Sequence, residues 1–224
     1  MEYTVPLALF DFFPVIFTAI GFYYIVLMVN HIDTTQGKAA SVGAVLVVIG
    51  GFLKATWKLI IASSGTDIRW MDDGMFVWMA PGYTLLAWAI WQAVRSVRGK
   101  KALHAWVIPT IIGVLTLATS YFLATSNPES EAWKRVLLSV MVLASILTSI
   151  LLIAFAFRQK LKLAGVLFVI NLIIIFLMNG LARIPEQTIT LQWIEESLNT
   201  VSWLAFAVAA YKTYDHTQKT FGVD

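Results

Sequence analysis

The 224-residue chain is 59% hydrophobic and only 13% charged, with a mean hydropathy of +0.77. A typical soluble domain carries about 25% charged residues, so this composition excludes a soluble protein and predicts an integral membrane protein. The absence of cysteine excludes disulfides, thiolate metal sites and cysteine nucleophiles. The formal net charge of +3 comes mainly from loop residues and gives no indication of nucleic-acid binding.

Seven apolar stretches are long enough for helices that cross a hydrocarbon core of about 30 Å, which takes roughly 20 residues. No basic segment precedes the first stretch, so we expect a true span there and not a cleavable signal peptide. All connections are short. We therefore predict an all-α integral membrane protein with one seven-helix transmembrane domain over residues 1–224 and no soluble domain. The predicted spans are 5–29, 40–62, 74–95, 103–125, 133–157, 162–182 and 191–211.

The basic residues predict the orientation of these spans, because lysine and arginine collect in cytoplasmic loops. An outer N-terminus and a cytoplasmic C-terminus place ten basic residues on the cytoplasmic side and four outside. We therefore predict a multi-pass protein of the cell (inner) membrane, surrounded by the lipid bilayer. Segment 95–101, Arg-Ser-Val-Arg-Gly-Lys-Lys, is typical of a cytoplasmic loop that sets topology and contacts lipid headgroups.

The order of charges suggests a parallel repeat of three helices with the fourth span as a linker, a 3+1+3 arrangement. In the first half, an acidic pair at 72–73 precedes a Trp-x-Ala at 78–80. In the second half, Arg183 closes the sixth span, and an acidic pair at 195–196 precedes a Trp-x-Ala at 203–205. The spacings differ between the halves, so the repeat is a hypothesis about architecture.

A few ionisable residues lie inside the predicted spans, where a charge is costly and a functional site is the default hypothesis. They are Asp11 in the first span, Lys54 and Lys58 in the second, and Glu195 and Glu196 at the start of the seventh. At a rise of about 1.5 Å per residue, all five fall in the outer third of the membrane. We predict that Lys54 pairs with Asp11 or Glu195. Lys58 either takes part in the same group of buried charges or extends to the outer interface.

Helical spacing extends this group of charges into a candidate binding surface. Trp57 lies on the same face of the second span as the two lysines, and Asn199 lies one turn beyond Glu195 in the seventh. Asn179 of the sixth span is less well aligned. The candidate ligand-binding residues are therefore Asp11, Lys54, Trp57, Lys58, Asn179, Glu195 and Asn199. The alternative is a purely structural ion pair that locks the packing of the helices.

Two prolines fall inside the predicted spans. Pro14 in the first span and Pro81 in the third each remove a backbone hydrogen bond, so both predict a kink. Kinks at these positions would open space beside Asp11.

The layout resembles two known classes of seven-helix membrane protein. Rhodopsins carry their chromophore on a lysine in the middle of the last helix, but Lys212 here lies at the inner end of that helix. The small seven-helix carriers of sugars and amino acids have a paired Pro-Gln signature, which is missing. His31, His104 and His216 all fall at the predicted cytoplasmic edge, which excludes a bis-histidine haem. The sequence therefore assigns no family, no cofactor and no metal site.

The leading functional hypothesis is a transporter for a small anionic or zwitterionic solute, with proton coupling as an option. The small-molecule ligand would bind in an outward-facing polar cavity in the outer half of the bundle. A seven-helix receptor or sensor is the first alternative, and its basic cytoplasmic face would signal to a cytoplasmic protein partner. A membrane-embedded enzyme acting on lipid is the second, and it is less favoured because no catalytic motif is present.

Overall fold

The protein is all-helical throughout the residues that the structure describes. The computed structural model describes residues 4–101, 103–127, 129–181, 184 and 188–221. These residues form eight helices: α1 Val5–Phe10, α2 Phe12–Ile32, α3 Thr34–Ser64, α4 Arg69–Val97, α5 Val107–Ser126, α6 Ala132–Arg158, α7 Lys162–Leu181 and α8 Ile189–Phe221.

Four helical stretches are long and apolar enough to cross a membrane. They are Val5–Ile32, which joins α1 and α2, together with α3, α5 and α6. Lys162–Met178 of α7 is a shorter apolar helix. Their length and hydropathy indicate a membrane-embedded helical protein, in agreement with the composition.

Some helix ends differ from the predicted spans. α3 begins at Thr34 and not at 40, because Asp33 Oδ1 accepts hydrogen bonds from the backbone N–H groups of Thr35 (2.9 Å) and Gln36 (3.1 Å). α8 continues to Phe221, past the predicted end at 211, since no helix-breaking residue intervenes. The predicted sixth span ends at 182, which lies outside the described residues.

The first span is interrupted at Asp11, between α1 and α2. Pro14 has no N–H to donate, and inside a continuous helix its ring would collide with the carbonyl group of Phe10. α1 accordingly ends at Phe10, and α2 begins at Phe12, which places Pro14 in its first turn, where N–H groups have no helical partner anyway. The proline therefore acts at Asp11 rather than as a kink at its own position, and Asp11 lies buried at the junction.

Six of the helices form a ring. In order around it, α2 packs on α3, α3 on α4, α4 on α6, α6 on α7, α7 on α8, and α8 on α2. α5 lies outside the ring against α4 and α6, and α1 contacts α3 and α8. One end of the ring, termed the acidic end, carries Asp11, Asp72 and Asp73, and the opposite end, termed the basic end, carries Arg95, Lys100 and Lys101.

α3 and α4 approach each other closely at glycines. A Cβ atom at Gly43 would lie 2.7 Å from the carbonyl oxygen of Gly82, and a Cβ atom at Gly82 would lie 2.9 Å from that of Gly43. Farther toward the acidic end, a Cβ atom at Gly50 would lie 2.6 Å from Cγ of Met79. Small residues commonly permit this kind of close helix packing in lipid. The contact holds the lysine-bearing half of α3 directly against the start of α4.

The chain between α4 and α5 packs on the basic end of the ring. Gln36 Nε2 donates a hydrogen bond to the carbonyl oxygen of Leu103 (2.9 Å), and the Leu103 N–H donates to Gln92 Oε1 (3.0 Å). Trp88 Nε1 donates to the carbonyl oxygen of His104 (3.1 Å). These side chains bind the backbone that the prediction placed in a helix, and α5 consequently begins later than the predicted 103.

We expect Gly43→Ala to destabilise the protein by about 1–3 kcal/mol, because the added methyl group must displace the backbone of α4. Thermal unfolding of the purified protein in detergent measures this loss. Gly113→Ala on α5 is the matched control, since its Cβ atom would lie 3.6 Å from Pro81 Cβ in ordinary contact. The control should be unchanged or up to about 1 kcal/mol more stable. Equal midpoints for the two variants would contradict the close approach of α3 and α4.

Candidate functional site

Lys58 of α3 binds two carboxylates at the acidic end of the ring. Its Nζ lies 3.1 Å from Asp11 Oδ2 and 2.5 Å from Glu196 Oε1. Asp11 comes from the α1–α2 junction and Glu196 from near the start of α8, so one ammonium group joins three parts of the chain. The Lys58 side chain is 16% exposed and each carboxylate side chain is 10% exposed. These three residues form a buried unit, termed the Lys58 cluster.

The Lys58 cluster does not balance its own charge. Burying an ion costs several kcal/mol unless it is paired and hydrogen-bonded, and the ion pairs offset that cost. Two carboxylates share one ammonium group, which leaves one formal negative charge in excess. Glu196 Oε2 is also buried and has no hydrogen-bond partner among the described residues. The cluster therefore has the capacity to accept a further proton or hydrogen-bond donor.

A second, more accessible ion pair lies one helical turn away. Lys54 of α3 pairs with Asp72 in the first turn of α4, and the two side chains are 29% and 28% exposed. Lys54 Nζ also lies 4.3 Å from the ring centroid of Trp57, a cation–π contact. The Trp57 Nε1 donates a hydrogen bond to Asp67 Oδ1 (2.9 Å), which stabilises the ionised carboxylate and lowers the pKa of Asp67.

A third ion pair joins α4 to α6. Lys134 Nζ lies 2.5 Å from Asp73 Oδ1 and 3.5 Å from Glu131 Oε1. Successive residues of a helix point in different directions, so Asp72 binds α3 while Asp73 binds α6. The acidic pair at 72–73 therefore connects α4 to both of its neighbours in the ring.

A cavity of about 140 Å³ lies beside these ion pairs. Asp11, Lys54 and Asn199 contribute its charged and amide groups, and Tyr83 and Trp203 contribute aromatic walls. An engineered cavity of roughly 150 Å³ is known to bind benzene, so this volume suits a solute of a few heavy atoms or a few waters. It is too small for a phospholipid or a drug-sized ligand, which occupies about 300 Å³ or more.

The structure pairs the predicted residues differently from the prediction. Lys54 binds Asp72 and not Asp11 or Glu195, because α4 begins earlier than the predicted 74 and so places Asp72 on the helix beside α3. Lys58 holds Asp11 inside the bundle and does not extend to the outer interface. Charges do pair between helices at this level, but with partners other than the predicted ones.

The remaining predicted residues have different outcomes. Asn199 lines the cavity, whereas Trp57 covers Lys54 from the side and is not among the lining residues. Glu195 is half-buried, and its Oε1 has no hydrogen-bond partner within the described part of the chain. The Asn179 side chain lies outside the described residues.

Glu196, Asp72 and Tyr83 complete the site, although none of them is in the predicted ligand set. Glu196 shares a helical face with Asn199 and Trp203, three and seven residues further on, and this spacing could have identified it. The prediction instead follows the stripe through Glu195, and one residue along a helix turns the side chain by about 100°. Asp72 had no comparable signal, since its role depends on where α4 begins.

The chain matches no protein-family model, no curated protein and no solved structure. Across the described ranges, no group of three or more His, Cys, Asp or Glu side chains is placed to hold a metal ion. The site is therefore defined by its own geometry, a buried ammonium–carboxylate cluster and a more exposed ion pair beside a small cavity.

We expect Lys58→Met to destabilise the protein by about 3–5 kcal/mol, because it leaves two buried carboxylates without the ammonium group that they share. Thermal unfolding in detergent measures the loss. Adding Asp11→Asn and Glu196→Gln to this variant should recover most of the stability, since no buried charge then stays uncompensated.

Lys54→Met is the matched control on the same helix. Its ion pair with Asp72 is about a quarter exposed, so the variant should lose about 1 kcal/mol or less. Similar losses for the two single variants would contradict the distinction between a buried cluster and an accessible pair.

Proposed function

We propose that the chain is a multi-pass protein of the cell (inner) membrane with seven spans, an outer N-terminus and a cytoplasmic C-terminus. The four long apolar stretches support this, and α4, α7 and α8 complete the same ring. Asp72 and Asp73 near the start of α4 and Glu196 near the start of α8 pair with neighbouring helices. The excess of lysine and arginine at the basic end supports its cytoplasmic placement.

The packing order supports the 3+1+3 repeat. Neighbours α2, α3 and α4 in the ring have their counterparts in α6, α7 and α8, and a half-turn about the ring axis would exchange the two sets. α5 lies outside the ring, as a linker helix would. Parallel repeats related by an axis along the membrane normal occur in several carrier folds.

We infer that the protein transports a small zwitterionic solute. The observation that carries this proposal is the position of the partly exposed Lys54–Asp72 ion pair, whose lysine lines the cavity. The Lys54–Asp72 pair is less buried than the Lys58 cluster, and Lys54 lines the cavity, so this pair would exchange its partner for a solute group at the lower cost. The buried Lys58 cluster, by contrast, would stay closed and keep the helices in position.

The charge of the site narrows the solute class. The Lys58 cluster and the Lys54–Asp72 pair together contain three carboxylates and two ammonium groups, which favours a ligand that brings positive charge. The Asp11 carboxylate, which lines the cavity, would receive an ammonium group, and Lys54 would receive a carboxylate. A zwitterion meets both needs, whereas a purely anionic solute would add to the excess. The volume limits the solute to about the size of benzene.

Polar contacts between chain segments at both ends of the ring support a transport mechanism with alternating access. At the acidic end, ion pairs join α4 to α3 and to α6. At the basic end, Gln36 and Gln92 hold Leu103 against the ring. Solute binding at Lys54 would weaken the α3–α4 contact at the acidic end only, so the two ends would respond differently to the same ligand.

Flux through proteoliposomes tests the proposal. Radiolabelled glycine, acetate and methylammonium serve as zwitterionic, anionic and cationic probes, and a pH-sensitive dye inside the vesicles reports proton movement. We expect glycine to enter faster than the other two. Lys54→Gln should slow glycine entry about tenfold, a loss of about 1.4 kcal/mol, while its unfolding midpoint stays near that of the wild type.

Lys219→Gln is the matched control, since Lys219 forms an exposed ion pair with Asp215 (2.7 Å) far from the cavity. Its flux should equal that of the wild type. Absence of flux for all three probes with folded protein in the vesicles would refute the transporter proposal.

A sensor is the second candidate, and the length of α8 favours it. Its 33 residues extend over about 50 Å, longer than a hydrocarbon core of about 30 Å. The part of α8 that extends beyond the hydrocarbon core at the basic end would be available to a cytoplasmic partner. Under this alternative, glycine would raise the unfolding midpoint through Lys54, but the vesicles would show no flux.

A further inference from the structure

We propose that the bundle binds one anionic phospholipid against α4, α5 and α6 at its basic end. This site is distinct from the cavity at the acidic end, and it does not rest on the proposed transport function. It consists of an apolar groove and a nearby polar space. Trp88 and Trp91 line the groove, and they contact His104 and Arg95 of the polar space.

The apolar half is a groove of about 520 Å³ where α5 stands against the ring. Trp91, Ile112 and Leu143 are among the side chains that line it, one from each of the three helices. The one hydroxyl among the lining residues, that of Thr84, already donates to the carbonyl oxygen of Ala80 (2.8 Å). The groove is therefore almost wholly apolar and suits a hydrocarbon chain.

The length of the groove matches the depth of a lipid leaflet. Along α4 it runs from Trp91 to Thr84, about 10 Å at the helical rise of 1.5 Å per residue. One leaflet of a 30 Å hydrocarbon core is about 15 Å deep. The groove thus covers most of the depth that an acyl chain occupies within its leaflet, starting from the half of α4 nearer the basic end.

The polar half is a space of about 720 Å³ that Arg95, Lys101 and His104 help to line. The Arg95 guanidinium lies 5.1 Å from the ring centroid of Trp91, and its Nη2 donates to the carbonyl oxygen of Lys101 (3.3 Å). Its Nε is buried and has no hydrogen-bond partner among the residues described. Arginine binds phosphate through such adjacent N–H groups, so a phosphate oxygen is the acceptor that this geometry lacks.

Asp33 also lines the polar space, but its charge is engaged at the start of α3. Its Oδ1 accepts hydrogen bonds from the backbone N–H groups of Thr35 and Gln36. The positive end of the α3 dipole lies at the same place and offsets the carboxylate. The space therefore keeps the positive character of Arg95 and Lys101.

Contacts between the lining residues of the two halves favour a single amphipathic ligand. Trp91 lines the groove and stacks on Arg95, and Trp88 lines the groove and donates to the carbonyl oxygen of His104. A phosphate bound at Arg95 would therefore lie directly above a hydrocarbon chain in the groove. Free phosphate would use only the polar half, and a neutral lipid only the apolar half.

Native mass spectrometry of the full chain, released from nanodiscs of equal phosphatidylglycerol and phosphatidylcholine, tests the site. We expect the wild type to retain one phosphatidylglycerol. Arg95→Gln with Lys101→Gln should reduce that retention at least tenfold. Arg98→Gln with Lys100→Gln removes the same charge from exposed positions of the same loop and should leave retention unchanged.

The acyl half is tested separately on α6. Leu143→Trp would fill the groove from its lipid-facing side and should also reduce retention, whereas Ile150→Trp, at an exposed position that does not line the groove, should not. Added inorganic phosphate should not displace the lipid.

Equal retention of both lipids, or equal losses of lipid in the two arginine–lysine double variants, would overturn the proposal. So would displacement of the lipid by phosphate. A fourth contrary result would be a protein dimer, without bound lipid, that Leu143→Trp disrupts. The unfolding midpoint of each variant shows whether it is folded, and glycine flux is measured independently.

Discussion

A buried ammonium group shared by two carboxylates joins segments that are far apart along the chain. Lys58 binds Asp11 at the α1–α2 junction and Glu196 in α8, the last helix of the described chain. In a hydrocarbon environment no water replaces a lost partner, so helix positions that break these contacts leave an uncompensated charge. The α1–α2 junction, α3 and α8 are thereby held at one level. The remaining features of the acidic end, including the cavity, depend on this arrangement.

Two local features of the chain bring the lysines of α3 close to their carboxylate partners. Pro14 interrupts the first helix at Asp11, which leaves that carboxylate buried at a junction. Gly43 and Gly82 let α3 and α4 approach, which brings the lysine-bearing half of α3 beside the start of α4. The result is one tightly held lysine and one more exposed lysine on the same helix, and this difference underlies the proposed division between a structural ion cluster and an exchangeable binding group.

The two ends of the ring use different chemistry. Ion pairs hold the acidic end, whereas at the basic end side-chain amides bind the backbone of the α4–α5 connection. That connection starts α5 late and leaves it outside the ring, and the groove between α4, α5 and α6 follows from its position. A small cavity beside the ion pairs and an apolar groove thus lie toward opposite ends of the same bundle.

The sequence by itself determined the helical membrane class, the approximate positions of the helices and the level at which the charged residues meet. Hydrophobic length and charge position carry that information directly, and helical periodicity placed Asn199 beside the charges. Only the tertiary structure decided the partners. Lys58 rather than Lys54 holds Asp11, and Glu196 rather than Glu195 completes the cluster. The physical reason is that one residue turns a side chain by about 100°. A helix start at Arg69 instead of the predicted 74 also moves Asp72 from a loop onto the helix that packs beside α3.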